Sequence, residues 1–441
     1  MDDAIHLSGD AQLDRGGREA IHAAFAHHPE AIALYWDIVV GDQRQARPAW
    51  SPTRVQSEPG VTLPLAVRKS WAEFDPSMTP LELEHRLAET GAQVLHLPAV
   101  LTHHSQAPSS TVEISSNDPR FEAGPRPGTR RRKPSTKGQA STSIIIPSAG
   151  QTQSGSEVSM LDRCLETLAL LDPKPKEVIV VVGDEYRGDP PQQPANLPLR
   201  ILPRGPGTFD FSRAVNCGLL ACRGELVLML NDDIEAETPD WLGRMAAHLD
   251  DPTVGVVGAA LLYPDRTVQH VGVVFDDARS YHPFRNYKLA DTASFGGDVA
   301  RDTVSVTGAC LLARRRDLLA AGGLSLEYPF SYGDIDLCLK MQRLGLRVVV
   351  EPAAVLIHHE SASRDPSIRP WEWDRFIHRW GDVVDPWYHP AYWRPNDPES
   401  ISRNADHLHP VDPGGSWPAR SATVQSRMHQ SQIGFPPRIH P

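Results

Sequence analysis

The run Gly224-Glu225-Leu226-Val227-Leu228-Met229-Leu230-Asn231-Asp232-Asp233 decides how the chain is read. Its apolar stretch is bounded by a glycine and by acids, the pattern of a strand buried on both faces. Side chains at the carboxyl end of such a strand emerge into the crevice where open α/β sheets bind ligands. Two carboxylates there call for a cation, and a cation can hold a diphosphate. A solvated Asp-Asp turn is the simpler alternative, and the flanking sequence weighs against it.

Upstream, Ser143–Pro147 reads as a buried strand through Ile144, Ile145 and Ile146. A helix over 158–171 follows, with Met160, Leu161, Cys164, Leu165, Leu168 and Leu171 at helical spacing, then a strand at Val178–Val182. Strand, helix, strand predicts a right-handed parallel βαβ unit. A third strand at Asn196–Leu202 and a helix at Phe209–Cys222, stopped by Arg223-Gly224, complete a nucleotide-binding doubly wound half.

Downstream, helices are predicted from Pro239 to Leu249, from Arg314 to Ala321, and from Tyr332-Gly333-Asp334-Ile335-Asp336 onward. Strands are predicted at Val254–Val257, Val271–Phe275, Val304–Ala313 and Val348–Val350, the last leading to His358-His359. Ser280–Arg301 is polar with aromatics and reads as a mobile lid. A dense aromatic set over 371–393 is expected to pack back on the domain.

The expected organisation is a degenerate partial domain at 1–105, a disordered basic linker at 106–141, a catalytic domain at 142–394 and a disordered tail at 395–441. The 441 residues suffice for two or three domains, and 40% hydrophobic with 22% charged residues is ordinary for a globular chain. A net charge of −11 argues against nucleic acid as a partner. Five cysteines without CxxC spacing suggest reduced, buried thiols and a cytoplasmic setting. The acidic amino terminus has no signal-peptide pattern, and no apolar run is long enough to span a bilayer. The run Arg130-Arg131-Arg132-Lys133 offers a contact for anionic lipid headgroups at the inner membrane face, with plain solvation as the alternative.

Leu81–Ser105 resembles Asp336–Ser361: helix, glycine, strand, Pro-Ala, apolar residues, His-His. Aligning Gly91 with Gly345 sets Pro80 opposite Asp334 and Glu82 opposite Asp336. The first copy therefore lacks the carboxylate that Asp334 supplies in the second, and reads as a remnant without its own chemistry.

Three polar clusters then stand at strand ends or helix starts: Asn231-Asp232-Asp233, Asp334 with Asp336, and His358-His359. Mg²⁺ or Mn²⁺ takes carboxylate and phosphate oxygens, and Mn²⁺ also takes imidazole. Asp233 with His359, joined by Asn231, could hold such an ion against a nucleoside diphosphate. Asp334 opens a helix, where the dipole stabilises an anion, and a carboxylate there could accept a proton from an attacking hydroxyl. A helix cap and a buried satisfied histidine are the simpler alternatives for each alone.

With these residues in view, 142 to about 390 resemble glycosyltransferase family 2, inverting enzymes of the GT-A fold, in the rhamnosyltransferase-like branch of bacterial polysaccharide assembly. The matching segments include Phe209-Asp210-Phe211-Ser212 with Asn216, Leu230-Asn231-Asp232-Asp233, Pro239-Asp240-Trp241-Leu242, Val306-Thr307-Gly308-Ala309-Cys310-Leu311, Asp334-Ile335-Asp336-Leu337-Cys338 and His358-His359-Glu360-Ser361. The resemblance implies an α/β GT-A fold, a divalent metal (Mn or Mg), a UDP, TDP or GDP sugar donor and a glycan or lipid-linked acceptor. It implies Asp334 as catalytic base, Asn231, Asp233 and His359 at the metal, and Pro147, Asp184, Asp232, Gly308 and Asp336 at the nucleotide sugar. Ala33–Asp37 would stand where the remnant's own acidic triplet belongs. Four places depart from the family pattern: Asn231 for an Asp, Gly333 for an acid or Asn, Gly183-Asp184 for Asp-Asn, and Pro147-Ser148-Ala149-Gly150 for Pro-Thr-Tyr-Asn. A non-catalytic sugar-nucleotide or glycan-binding module is the alternative function, and a nucleotidyltransferase that releases pyrophosphate is a third.

Overall fold

The computed structural model describes residues 3–7, 11–41, 43–45, 47, 50–60, 62–104, 118–152, 159–276, 279–359, 369–381 and the single positions 383, 385 and 387. The tail expected at 395–441 and the Glu360–Ser361 part of the last motif lie outside them.

The amino-terminal unit runs β1 (Asp3–His6), β2 (Gln12–Leu13), α1 (Gly17–His27), β3 (Ala33–Val40), β4 (Gln43–Gln45), α2 (Pro52–Ser57), β5 (Leu65–Arg68), α3 (Pro80–Thr90) and β6 (Val94–His104). Its sheet is ordered β1-β5-β3-β6-β2, with β4 on β3. Only β3 and β6 pair in parallel; the other pairings are antiparallel. Ile21, Phe25, Leu34 and Trp36 fill its core on the α1 side.

The stretch expected as a disordered linker is ordered from residue 118. It forms a hairpin, β7 (Phe121–Ala123) and β8 (Arg130–Arg132), then a short helix, α4 (Thr136–Ala140). The basic run is used in packing. The Arg130 and Arg132 guanidinium groups stand 4.5 and 5.3 Å from the Phe121 ring centroid. Arg131 pairs with Glu122 at 2.9 Å, and Arg132 donates to Gln56 Oε1 at 2.8 Å. Lys133 alone of the four is exposed. Partners distant in sequence made the run look solvated.

The second unit contains β9 (Thr142–Ser148), α5 (Met160–Leu168), β10 (Glu177–Val182), β11 (Leu199–Pro203), α6 (Phe211–Ala221), β12 (Leu226–Leu230), β13 (Ile234–Ala236), α7 (Trp241–His248), β14 (Val254–Leu262) and β15 (Val268–His270). It continues with β16 (Val274–Asp276), β17 (Arg279–Tyr281), a 3-10 helix at Leu289–Phe295, β18 (Arg301–Asp302), β19 (Cys310–Arg314), α8 (Arg315–Ala320), α9 (Gly333–Arg343), β20 (Arg347–His358) and α10 (Pro370–Trp380). The sheet order is β11-β10-β9-β12-β19-β14-β20-β13. Strands β9 to β12 are mutually parallel, as the βαβ pattern requires. Antiparallel β19 turns the sheet into the mixed α/β arrangement expected of GT-A.

Alternation along each strand divides the core. Ile144 and Ile146 face one layer with Leu161, Leu165 and Leu242, while Ile145 faces the other with Val215 and Met341. A Cβ on Gly218 would stand 2.4 Å from Ile145 Cγ2, so only glycine lets α6 lie this close to the sheet. Asp210 caps α6 by accepting from Arg213 N at 2.8 Å.

The two units share a strand plan. The order β1-β5-β3-β6-β2 repeats β12-β19-β14-β20-β13, with the same parallel or antiparallel relation at every pairing. In both, the one parallel pair shifts register at a proline: Pro98 between Leu97 and Val100, Pro352 between Glu351 and Val355. This plan corrects one expectation. Ala33–Asp37 lies in β3, which corresponds to β14, and not in the counterpart of β12. That counterpart is β1, so the place of the acidic triplet falls after His6, where residues 8–10 lie outside the described residues. The helix in the place of α9 opens on a capping box, with Thr79 Oγ1 accepting from Glu82 N and Glu82 Oε2 accepting from Thr79 N.

Candidate functional site

Strands β9, β10, β11, β12, β14 and β20 all run in one direction, so their carboxyl ends share one edge. Ser148, Gly183, Arg204, Asn231–Asp233 and His358 therefore gather there, facing the amino end of antiparallel β19.

The acidic cluster is buried. Asp232 Oδ2 accepts from Ser148 Oγ at 2.6 Å. Burial first, and the neighbouring Asp233 charge second, push its pKa up to about 7. Asp233 is 5% exposed. Burial acts to raise its pKa, but the His358 imidazole beside it prevails and holds it below the ordinary value. Asp233 Oδ1 stands 3.1 Å from His358 Nε2 and makes no hydrogen bond. His358 Nδ1 lies 2.6 Å from Gln269 Oε1 and keeps its proton there, so Nε2 is the nitrogen that would give up its proton to a metal. Asn231 Nδ2 stands 3.3 Å from the same Nε2.

These distances set His358, rather than His359, against the Asp233 carboxylate. His359 turns away and meets Glu235 Oε1 at 2.9 Å, while its backbone N–H donates to Asp233 O at 3.1 Å. Ile234 pairs with His358 at the last rung of β13 and β20, and the chain leaves the ladder at Asp233, so the Asp233–His358 contact is set beyond the regular strand. A buried carboxylate oxygen beside an imidazole nitrogen that can release its proton fits a divalent cation, since two ligands at roughly 2.1 Å stand about 3 Å apart. Among the described residues no three His, Cys, Asp or Glu side chains form a ready-made metal cluster. Asp233 and His358 would supply two ligands to such an ion.

A linkage prediction follows from Asp232. In metal-free protein its raised pKa means the folded state keeps a proton that the unfolded state loses above about pH 4. Its stabilising contribution is full below the unfolded pKa and lost as pH rises toward about 7. Asp232→Asn should flatten the stability profile between those limits, removing a slope of up to about 1.4 kcal/mol per pH unit. Denaturant unfolding in the presence of a chelator reads it; equal slopes in both proteins would mean Asp232 is ionised throughout.

Asp334 sits at the amino end of α9. Its Oδ2 accepts from Gly308 N and its Oδ1 from Ile335 N, each at 2.8 Å. Both oxygens keep a lone pair for an incoming hydroxyl. The residue before the helix proper, Tyr332, has φ 64°, a left-handed conformation that costs a non-glycine residue about 1–2 kcal/mol. Stacking on Phe376 at 4.5 Å holds it, and Glu372 accepts from Phe330 N and Ser331 N at 3.0 Å. The helix α10 therefore fixes the turn that presents Asp334. Gly333 departs from the family pattern because a Cβ there would meet Ser212 Oγ at 2.9 Å.

Asp336 does not belong to the crevice. It is fully buried, accepts from Trp380 Nε1 at 3.0 Å, and pairs with Lys340 at 3.2 Å and Arg379 at 3.4 Å. Two residues along a helix turn a side chain by about 200°, so Asp334 and Asp336 cannot serve one pocket. Asp336→Ala should cost about 3–5 kcal/mol by stranding buried partners, and leave nucleotide affinity unchanged. Urea unfolding and nucleotide titration of the same sample check this.

At the nucleotide end, Pro147 is buried within β9, and its neighbour Ser148 makes the polar contact to Asp232. Asp184 is exposed at the end of β10. Arg204 and Glu185 were not legible as site residues. Arg204 is buried, donates to Glu185 Oε2 at 2.5 Å and to Gly207 O at 3.0 Å, and keeps Nε and Nη1 unpartnered. A Cβ on Gly183 would stand 2.2 Å from Arg204 Nη2, so the guanidinium takes the room of the usual Asp. The Gly308 N–H reaches Asp334 as given above, which makes Gly308 a holder of the candidate base.

The expected lid, 280–301, is a packed segment. Phe284, Thr292, Val299 and Ala300 are buried. Arg301 donates to the carbonyls of Val271, Gly296 (3.2 Å) and Gly297 (3.4 Å). Its basic side chain, invisible to a reading that looked for polarity alone, ties the segment down.

Residues 143–301 match the family model described as Glycosyl transferase family 2. A protein of Sinorhizobium fredii named Uncharacterized protein y4gI is 39% identical over 204 residues, covering 44% of this chain and 22% of the relative. The O-antigen biosynthesis protein RfbC of Myxococcus xanthus is 28% identical over 417 residues, covering 83% of this chain and 32% of the relative. Residues 142–441 are 300 of 441, or 68%, so that alignment extends into the amino-terminal unit. The N-acetylglucosaminyl-diphospho-decaprenol L-rhamnosyltransferase of Mycobacterium tuberculosis is 26% identical, covering 47% of this chain and 75% of the relative. The chain spans 22% and 32% of the lengths of the first two relatives. Among the described residues no helix is long and apolar enough to cross a membrane.

Proposed function

We propose that this chain, which belongs to glycosyl transferase family 2 through residues 143–301, moves a sugar from a nucleoside-diphosphate donor to a hydroxyl of a glycan or lipid-linked acceptor, with inversion at the anomeric carbon. The observation that carries the reading is the placement of two distinct devices at one sheet edge. One is the Asp233–His358 pair, with a buried oxygen that lacks a hydrogen bond. The other is Asp334, held by Gly308. They are adjacent through the backbone, because Asn231 N donates to Ala309 O at 3.0 Å, one residue from Gly308.

In this reading Asp334 takes the proton of the acceptor hydroxyl as its oxygen bonds the anomeric carbon. The bond from that carbon to the diphosphate breaks in line on the opposite face. Asp233 and His358 would hold a divalent cation, which would supply charge neutralisation for a diphosphate leaving group. Asp232, with Ser148, and Arg204, with Glu185, line the nucleotide side. The names of the Myxococcus and Mycobacterium relatives support cell-surface polysaccharide as the setting, and cytoplasmic residence is part of the same proposal.

The experiment is a donor screen with Mn²⁺ and a mixture of simple glycoside acceptors, read by nucleoside diphosphate release and by the anomeric coupling constant of the product. Inversion with release of a nucleoside diphosphate is expected. Pyrophosphate release would instead indicate nucleotidyl transfer, and retention would remove the single-displacement step.

A further inference from the structure

The two units meet along segment 279–302, and the contacts are charged and buried. Asp302, 3% exposed, accepts from Ser51 Oγ at 2.6 Å and from Thr53 N at 3.0 Å, and pairs with Arg347 at 2.5 Å. Ser51 is also the cap of α2, accepting from Arg54 N at 3.0 Å. Arg126 donates to both oxygens of Asp298, at 2.7 and 2.9 Å, and pairs with Glu58 of the amino-terminal unit at 3.0 Å. The Arg54 guanidinium lies against Gly296, where a Cβ would stand 2.4 Å from its Cζ. The far end of the segment is thus keyed to α2 and to the β7–β8 hairpin.

The near end reaches the candidate reaction site. His282 Nδ1 stands 2.9 Å from His270 Nδ1. His270 Nε2 accepts from Gly272 N at 3.2 Å and Thr307 N at 3.4 Å. Thr307 precedes Gly308, which holds Asp334. The segment is thereby linked, through His270 and Thr307, to the backbone that holds Asp334.

We infer that the amino-terminal unit, together with the hairpin that follows it, is a positioning module: it holds segment 279–302 so that an acceptor hydroxyl is presented to Asp334, and Arg126 of the hairpin is the key positioning residue. This rests on the proposed glycosyl transfer. The unit repeats the sheet plan of the second unit from β12 onward, has Pro80 in the place of Asp334, and grips the segment through α2.

The test uses the full chain with Arg126→Gln, Asp298→Asn and the charge swap Arg126→Glu/Asp298→Arg. The swap re-forms the 126–298 ion pair with its signs exchanged, and it is made together with Glu58→Gln, because the carboxylate introduced at position 126 would otherwise face that of Glu58. It should therefore restore what the single changes lose. Amide exchange over 279–302 should quicken about tenfold in each single variant, with the β12 and α9 amides unchanged. With p-nitrophenyl glycosides as acceptor probes, the ratio of transfer to donor hydrolysis should fall about tenfold while nucleoside diphosphate affinity holds. Recovery in the swap supports positioning, since mere loss of stability would not be reversed selectively in that ratio. Unchanged exchange in both single variants overturns the inference, as does an equal loss of donor affinity. Failure of wild-type protein to bind any nucleotide would strike the transfer reading instead, and would not alter the exchange result.

Discussion

Asp334→Asn is expected to lower the transfer rate by about 10²–10⁴-fold, the usual contribution of a positioned general base. The substitution keeps shape. One amide oxygen can still accept from Gly308 N, and the amide group replaces the oxygen that faces Ile335 N. Donor affinity should therefore stay within about twofold, and unfolding free energy within about 1 kcal/mol, the scale of one uncharged hydrogen bond. The loss should appear in kcat and in kcat/KM alike, because the proton is taken only in the transition state. Measuring both constants under saturating donor checks this. Near wild-type turnover would assign the base elsewhere and leave the strained Tyr332 turn without a catalytic purpose.

His358→Ala and His359→Ala should separate sharply, against the simplest reading of the sequence. His358 Nε2 faces Asp233, whereas His359 faces Glu235. Removing outer-shell partners of a metal typically costs 10–100-fold in affinity, so removing a ligand should cost at least about a hundredfold. His358→Ala should therefore abolish metal-dependent nucleotide binding at micromolar Mn²⁺. His359→Ala should weaken it by only a few-fold, through loss of the side-chain contact to Glu235, since the backbone bond to Asp233 is kept. Titration of Mn²⁺ in the presence of the preferred nucleoside diphosphate distinguishes the two. The reverse order would restore His359 as ligand and refute the tautomer assigned from Gln269.

The fold was largely legible because buried parallel strands announce themselves. Ile144-Ile145-Ile146, Val178–Val182 and Leu226–Leu230 carry no alternation, and each ends in a turn that must face the crevice. The candidate base and the acidic pair were legible for the same reason. His358 and His359 could not be told apart, since strand parity is reset at the register shift after Glu351 and the chain leaves the ladder at Asp233, so only the side-chain contacts separate them. Asp336 was misplaced by family pattern although helix geometry alone separates it from Asp334. The linker and the lid were misread through their arginines. Arg126, Arg130 and Arg301 look solvated in sequence, but their partners Asp298, Phe121 and the 296–299 carbonyls are brought to them only by the fold. The likeness of the amino-terminal unit to the second was legible in its helix-glycine-strand pattern. Its acidic triplet was nevertheless sought in the wrong strand, because the short β1 carries too few residues to display a period.

The central claim is that Asp233 and His358 seat a divalent cation that holds a nucleoside diphosphate. Thermal unfolding with Mn²⁺ and each of UDP, TDP and GDP, on wild type and Asp233→Asn, tests it most directly. A ligand at a hundredfold excess over its dissociation constant should stabilise the folded state by roughly 2.7 kcal/mol. The account predicts that shift in wild type for one nucleobase, only with metal present, and its loss in Asp233→Asn. An equal shift without metal, or one that survives in Asp233→Asn, would contradict it.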